Sequence, residues 1–206
     1  MRERPQLVVT RLLRQVVNAE IEVEVSPTWL LRPGRVECAG AWEAVSRIYA
    51  ELTGLALPEH APPRERRRLD VVLTHLSGRR QVLEVDERQH FTAARATSLE
   101  HYPPGALLGF EVAAWLERSR ELSGREPGGG FARPRPPLFP GDGGRHRQRA
   151  FRDALADLLP PEYGWLPTIR ISDTEAEATA AAVSPIAALT ALLAERGIPD
   201  TELRSA

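Results

Sequence analysis

The sequence predicts an α/β domain, and three observations carry that expectation. AWEAVSRIYAELTG places Trp42, Val45, Ile48, Tyr49 and Leu52 at helical spacing. LDVVLTH and QVLEVDE are β-rich runs joined by the turn chemistry of Ser77 and Gly78. RHRQRAFRDALADLLP returns to helical spacing through Phe151, Leu155, Leu158 and Leu159, and the short strand WLPTIRIS follows it. At 206 residues the chain suits a single domain, 1–206, with a sizeable core.

In chain order, residues 5–17 (PQLVVTRLLRQVV) read as a helix. AEIEVEV alternates as a short strand and is closed by Pro27 and by Pro33-Gly34. The helix at 41–53 ends where Gly54 supplies a C-terminal cap. A Pro- and Arg-rich loop, PEHAPPRERRR, leads into the hairpin. A further helix is expected over about Ala106 to Leu122, with Leu108, Val112, Trp115 and Leu116 on one face. From 124 to 144, seven glycines and five prolines in 21 positions exclude regular structure and suggest a flexible insertion or a functional flap. Pro167 belongs at the start of its strand or on a sheet edge. In SPIAALTALLAERG, Ser184 is an N-cap, Pro185 the first helical residue and Gly197 the terminator. The apolar stripe of that last helix would cover the core or a second subunit, so a homodimer is one expectation. The core is placed at about 40–173, with 174–206 as a C-terminal helical appendage.

Composition narrows the chemistry. Hydrophobic residues at 42% and charged residues at 27% describe a chain that folds rather than a disordered one. A net charge of -1 gives no global basic field, so any nucleic-acid contact must come from local clusters. All 27 basic residues are arginine. That excludes a lysine general base, a Schiff base and a phosphate-loop lysine. Cys38 alone excludes an internal disulfide framework and a multi-cysteine zinc site. No leader-like stretch opens the chain, and no segment reaches the roughly 18 apolar residues of a membrane span. A cytoplasmic protein without membrane contact is therefore expected.

The stretch LEVDERQHF, 83–91, places Glu84 and Asp86 in a strand that otherwise reads as buried. Side chains alternate with period two, so these acids share a face. A three-residue loop Ser77-Gly78-Arg79 would set Asp70 across from Asp86, and Val72 across from Glu84. A two-residue loop would turn Asp70 to the other face. With cross-strand Cβ atoms roughly 4.5–5.5 Å apart, Asp70, Glu84 and Asp86 would grip one hard cation. Oxygen ligands favour Mg2+ or Mn2+ over zinc.

These residues resemble the PD-(D/E)xK, or restriction-endonuclease-like, nuclease superfamily. EVDERQHF is similar to the E-x-D-x-x-x-H run of its very-short-patch-repair-like members. The resemblance covers the helix at 41–53, the strands holding Asp70 and Glu84, the helix at 145–159 and the strand at 165–172. It implies a central mixed β-sheet flanked by helices, with an αβββαβ core. Asp70 would be the first metal-binding acid and Glu84 the second. Asp86 stands where the superfamily usually has lysine, and there it would bind metal or accept a proton. Gln89 and His90 would position water or phosphate. The implied activity is Mg2+- (or Mn2+-) dependent endonuclease-type hydrolysis of phosphodiesters, in DNA rather than RNA. Arg66, Arg67 and Arg68 before the hairpin, and Arg145 and Arg149 on the later helix, would contact phosphates. The replaced lysine also admits a catalytically inactive nuclease-fold module that binds nucleic acid or a protein partner.

Overall fold

The computed structural model describes residues 4–62 and 67–204. Among them, strands β1 (Glu20–Val25), β2 (Leu69–Thr74), β3 (Arg80–Asp86) and β4 (Leu166–Ser172) form one sheet in that order. β1, β2 and β3 are antiparallel neighbours, and β4 runs parallel to β3. The sheet is therefore mixed, as expected. A parallel return needs a long crossover, and here it passes through helices α4 (Ala93–Glu100), α5 (Val112–Leu122) and α6 (Gly144–Leu158).

Helices cover both faces. On one side, α1 (Pro5–Val16), α7 (Asp173–Ala181) and α8 (Pro185–Glu195) pack on Val71, Leu73, Leu83 and Val85. On the other, α3 (Trp42–Thr53) and α6 pack on Val72 and Val82. The short helix α2 (Arg35–Cys38) precedes α3. Val72, Val82, Glu84 and Asp86 thus share the second face, which is apolar toward the hairpin and acidic toward the end of β3.

The expected helices at 5–17, 41–53 and 145–159 and the final helix are present within a residue or two. Ser184 caps α8, accepting from the Ala187 amide at 3.4 Å, and Leu189 and Leu193 are fully buried. The C-terminal helices therefore belong to the core, which extends beyond 40–173 at both ends. Two helical expectations are corrected. α5 starts at Val112 rather than near Ala106, because the Gly109 amide donates to the Thr168 carbonyl at 3.0 Å and carries the chain alongside β4. α4 was not anticipated. Its N-cap is Thr92, which accepts from the Arg95 amide at 3.1 Å.

The hairpin keeps its expected parity but slips by one pleat. Val72 pairs with Val82 and Thr74 with Arg80. The His75 amide donates to the Arg79 carbonyl at 2.9 Å, so the loop is Leu76-Ser77-Gly78. Gly78 closes it with φ +77°, the left-handed third position that three-residue hairpins favour. Asp70 consequently lies level with Glu84 instead of Asp86.

The glycine- and proline-rich stretch is tied to α6. Leu138 and Phe139 are buried in the core, and the Tyr49 hydroxyl donates to the Leu138 carbonyl at 2.7 Å. A Cβ on Gly144 would stand 2.3 Å from the Phe139 carbonyl oxygen and 2.9 Å from the Arg135 nitrogen. Gly144→Ala is expected to cost about 1–3 kcal/mol through this backbone clash, measured as a lowered midpoint in urea. Among the described residues, no helix is long and apolar enough to cross a membrane.

Candidate active site

At the acidic end of β3, a cavity of about 390 Å³ opens between the hairpin and α6. It is lined by Arg67, Arg68, Asp70, Gln89, His90, Arg145, Arg149, Arg152 and Asp153. Seven of these nine were expected as site residues from the sequence, all but Arg152 and Asp153, and Asp70, Gln89 and His90 among them were expected to act in catalysis. Arg66 lies outside the described residues.

Asp70 and Glu84 are locked to each other through the backbone. The Asp70 amide donates to Glu84 Oε1 at 3.0 Å, and Asp70 Oδ2 accepts from the Val85 amide at 3.0 Å. Glu84 Oε2 accepts from Arg67 Nη2. Burial pushes the Glu84 carboxyl up to about 8 against the pull of Arg67, and pushes Asp70 up to about 6. Opposite Asp70 on β1, Glu24 has a left-handed backbone with φ +54°, a local strain beside the site.

Asp86 has a different environment, and this corrects the expected three-acid set. Its Oδ1 accepts from Arg170 Nη1 at 2.7 Å, and its Oδ2 accepts from Trp115 Nε1 at 2.6 Å. Burial opposes its charge, but Arg170 and His90 hold its carboxyl below the usual range. Arg170 is fully buried. It also donates from Nε to Asp157 at 2.8 Å and from Nη2 to the Asp153 carbonyl at 3.1 Å. Asp86 therefore anchors a buried network instead of converging with Asp70 and Glu84. The cause is the slipped register, which leaves Asp86 one pleat beyond Asp70.

Asp153, on α6, takes the third place. Its Oδ2 accepts from His90 Nδ1 at 3.1 Å, while its buried Oδ1 accepts no hydrogen bond and lies 3.5 Å from Arg67 Nη2. Burial opposes its charge, and His90 and Arg170 hold its carboxyl far below the carboxylate range. Glu84 and Asp153 stand beside the Arg67 guanidinium, and the charge of Asp70 acts on it as well. Burial works against the guanidinium charge, yet the three acids hold its pKa above the ordinary arginine value.

One compact group with metal-ligand geometry is found among the described residues: Asp86, His90 and Asp153 offer atoms within 4.8 Å of one another. Within it, Arg170 engages Asp86, and His90 Nδ1 lies 3.3 Å from Asp86 Oδ1 as well as beside Asp153. These contacts make it a proton-bridged ion network. The oxygen of this group without a hydrogen bond among the described residues is Asp153 Oδ1, buried 3.5 Å from Arg67 Nη2 and 3.9 Å from Arg170 Nη2.

The rim is cationic. Arg145, Arg149 and Arg152 fall at i, i+4 and i+7 along α6, on one helix face. Arg149 Nη1 donates to the Gln89 carbonyl at 2.9 Å, and Arg145 Nη1 to Gln148 Oε1 at 2.7 Å. Burial, followed by the charges of Arg149, Arg135, Arg152 and Arg133, brings the Arg145 guanidinium down to about 10. The Gln89 amide turns back to Glu87 at 2.8 Å.

No family model, curated protein or solved structure matches this chain.

Asp153, Arg170 and Trp115 were missed as site residues. The available signal was Asp153 and Asp157, one turn apart among Phe151, Ala154, Leu155 and Leu158, where a solvent-facing acid is out of place. Nothing in the sequence marks Trp115, which reads as helix core.

The raised Glu84 pKa makes a prediction for the metal-free protein. Folded Glu84 keeps a proton that the unfolded chain releases above about 4.5, so the protonated fold is favoured at low pH. That stability is lost as pH rises toward about 8. Unfolding free energy in EDTA is expected to fall by roughly 3–4 kcal/mol between pH 5 and 8. Glu84→Gln should flatten the profile in urea titrations.

Proposed function

We propose that this chain is a divalent-metal-dependent phosphodiesterase acting on nucleic acid, on DNA in preference to RNA by its resemblance to the PD-(D/E)xK superfamily. The observation that carries the reading is the cavity itself, in which Asp70 and Asp153, with Glu84 beneath, form an acidic floor under an arginine rim. Such a floor suits a cation, and such a rim suits phosphate oxygens. The element order supports the reading in part: β2, β3, α6 and β4 follow one another as the resemblance expects, whereas the helix expected to open the core, 41–53, stands between β1 and β2.

Among the described residues the oxygens of Asp70, Glu84 and Asp153 do not gather as one ligand group while Arg67 lies among them. They would take a hard cation only by closing on the space the guanidinium holds. Asp153 Oδ1, a buried carboxylate oxygen without a hydrogen bond, and the raised pKa values of Asp70 and Glu84 support that reading. Asp70, Glu84 and Asp153 would hold Mg2+ or Mn2+, which when bound polarises a phosphoryl oxygen and lowers the pKa of water. The chain's own groups supply the rest. Arg145, Arg149 and Arg68 fix the phosphates on either side of the scissile bond. His90 donates through Nδ1 to Asp153, which fixes the tautomer and leaves Nε2 to take a proton from the attacking water. The Gln89 carbonyl positions Arg149.

A second reading, a catalytically inactive module that binds nucleic acid, is favoured by one observation. Both acids of the E-x-D run are already paired, Glu84 with Arg67 and Asp86 with Arg170.

The two readings separate in a thermal-shift series with Mg2+ or Mn2+ on wild type and Asp70→Ala, followed by incubation with supercoiled plasmid. The enzyme reading expects a metal-dependent rise in Tm that Asp70→Ala loses, together with nicking that EDTA stops. Binding of plasmid without nicking in any metal supports the inactive module.

A further inference from the structure

Two arginines neutralise the acids of this site, and they are built differently. Arg170 is fully buried and held by Asp86, Asp157 and the Asp153 carbonyl. Arg67 is fixed at its backbone, where its amide donates to the Leu30 carbonyl at 3.0 Å, but its side chain keeps 14% exposure and lines the cavity. Among the described residues, its Nη1 reaches only the carbonyl of the adjacent Arg68. Its Nη2 meets Glu84 and stands 3.5 Å from the unbonded oxygen of Asp153.

We propose that Arg67 is a resident cation occupying the metal position among Glu84, Asp153 and Asp70, and that a nucleic-acid phosphate entering the cavity draws it out, so that metal binds more tightly when nucleic acid is present. The inference rests on the metal-dependent reading above. A guanidinium and a divalent cation repel each other and cannot share these oxygens. A single positive charge among these three acids leaves the cluster negative even with Glu84 protonated, so a dication is the better match once the guanidinium has another anion to meet. The cavity provides that anion's place: Arg67 opens onto it beside Arg68, Arg145, Arg149 and Arg152, and a phosphate offers the planar, two-point recognition that guanidinium favours. Because phosphate binding and metal binding both favour the state with Arg67 swung out, each strengthens the other by the same factor.

The test is Mn2+ binding followed by electron paramagnetic resonance on the full chain. Wild type and Arg67→Gln are each titrated with and without a cleavage-resistant phosphorothioate DNA duplex, and the duplex's own Mn2+ uptake is subtracted. Without duplex, Arg67→Gln is expected to bind Mn2+ about tenfold more tightly than wild type; the duplex should raise wild-type affinity by about tenfold and leave the variant nearly unchanged. A wild type whose Mn2+ affinity ignores the duplex overturns the proposal without reference to any variant. Equal affinities of wild type and folded Arg67→Gln in the absence of duplex overturn it as well, and leave the metal-dependent reading standing. Absence of Mn2+ binding in all four titrations overturns both.

Discussion

Arg170→Met is expected to lower the free energy of unfolding by about 3–5 kcal/mol. The methionine fills much of the same space, so the loss comes from charge rather than from a cavity. Asp86 and Asp157, both buried, lose the guanidinium that neutralises them. Asp157 keeps Arg95 at 2.9 Å and the Tyr102 hydroxyl at 2.5 Å, whereas Asp86 keeps only Trp115 and His90. The deficit therefore concentrates on Asp86. Adding Asp86→Asn to the Arg170→Met chain should restore part of the stability, whereas Asp86→Asn alone should destabilise by leaving Arg170 with Asp157 as its one close carboxylate. Urea titrations of the two single variants and the double variant measure the coupling directly.

His90→Ala is expected to lower phosphodiester cleavage by about 10²- to 10⁴-fold, the range for a positioned acid or base. Its effect on the metal-dependent rise in Tm should be smaller than that of Asp70→Ala, because of the three proposed ligands the ring contacts Asp153 alone, through Oδ2. The ring bridges Asp86 and Asp153 through Nδ1, so some loss of stability accompanies the substitution. The separation between a large kinetic effect and a retained metal shift is the informative outcome. Gln at position 90 cannot exchange a proton at neutral pH, so His90→Gln should be as slow as His90→Ala even where it restores the bridge. Single-turnover cleavage of a labelled duplex, beside the thermal shifts, checks both parts.

The elements legible in the sequence were those with local causes. α3 and α8 declare themselves by stripe and cap, and β2 and β3 by alternation and a Gly-containing turn. The same alternation placed Glu84 and Asp86 on one face, which the structure bears out, and the three-residue loop brings Asp70 to that face as well. It could not fix which acid stands opposite which, because that depends on whether the loop closes at His75 and Arg79 or one residue later. Gly78 in the left-handed position decides it. α4 was hidden by its short length and by the Pro103-Pro104-Gly105 turn that follows it.

The partners of the acids were less legible for a reason of distance. Asp153 reaches His90 across 63 positions, and Arg170 reaches Asp86 across 84. Alternation along β4, with Arg170 between Ile169 and Ile171, reads as an arginine on a solvent face; α6 covers that face and turns the position into a buried one. Arg67 was expected to meet phosphate from the RERRR run. It lies within the cavity as that expectation requires, but points into the acids.

The central claim is that Asp70, Glu84 and Asp153 form one cation site at the floor of the arginine-rimmed cavity. Anomalous scattering from a crystal of the chain grown with Mn2+ and a cleavage-resistant duplex tests it most directly. The account predicts a manganese peak bonded to Asp70 and Asp153, with Arg67 turned away from Glu84 toward a phosphate. A structure with duplex in the cavity and Mn2+ in the solution, in which Arg67 still holds Glu84 and no peak lies on these acids, would contradict it.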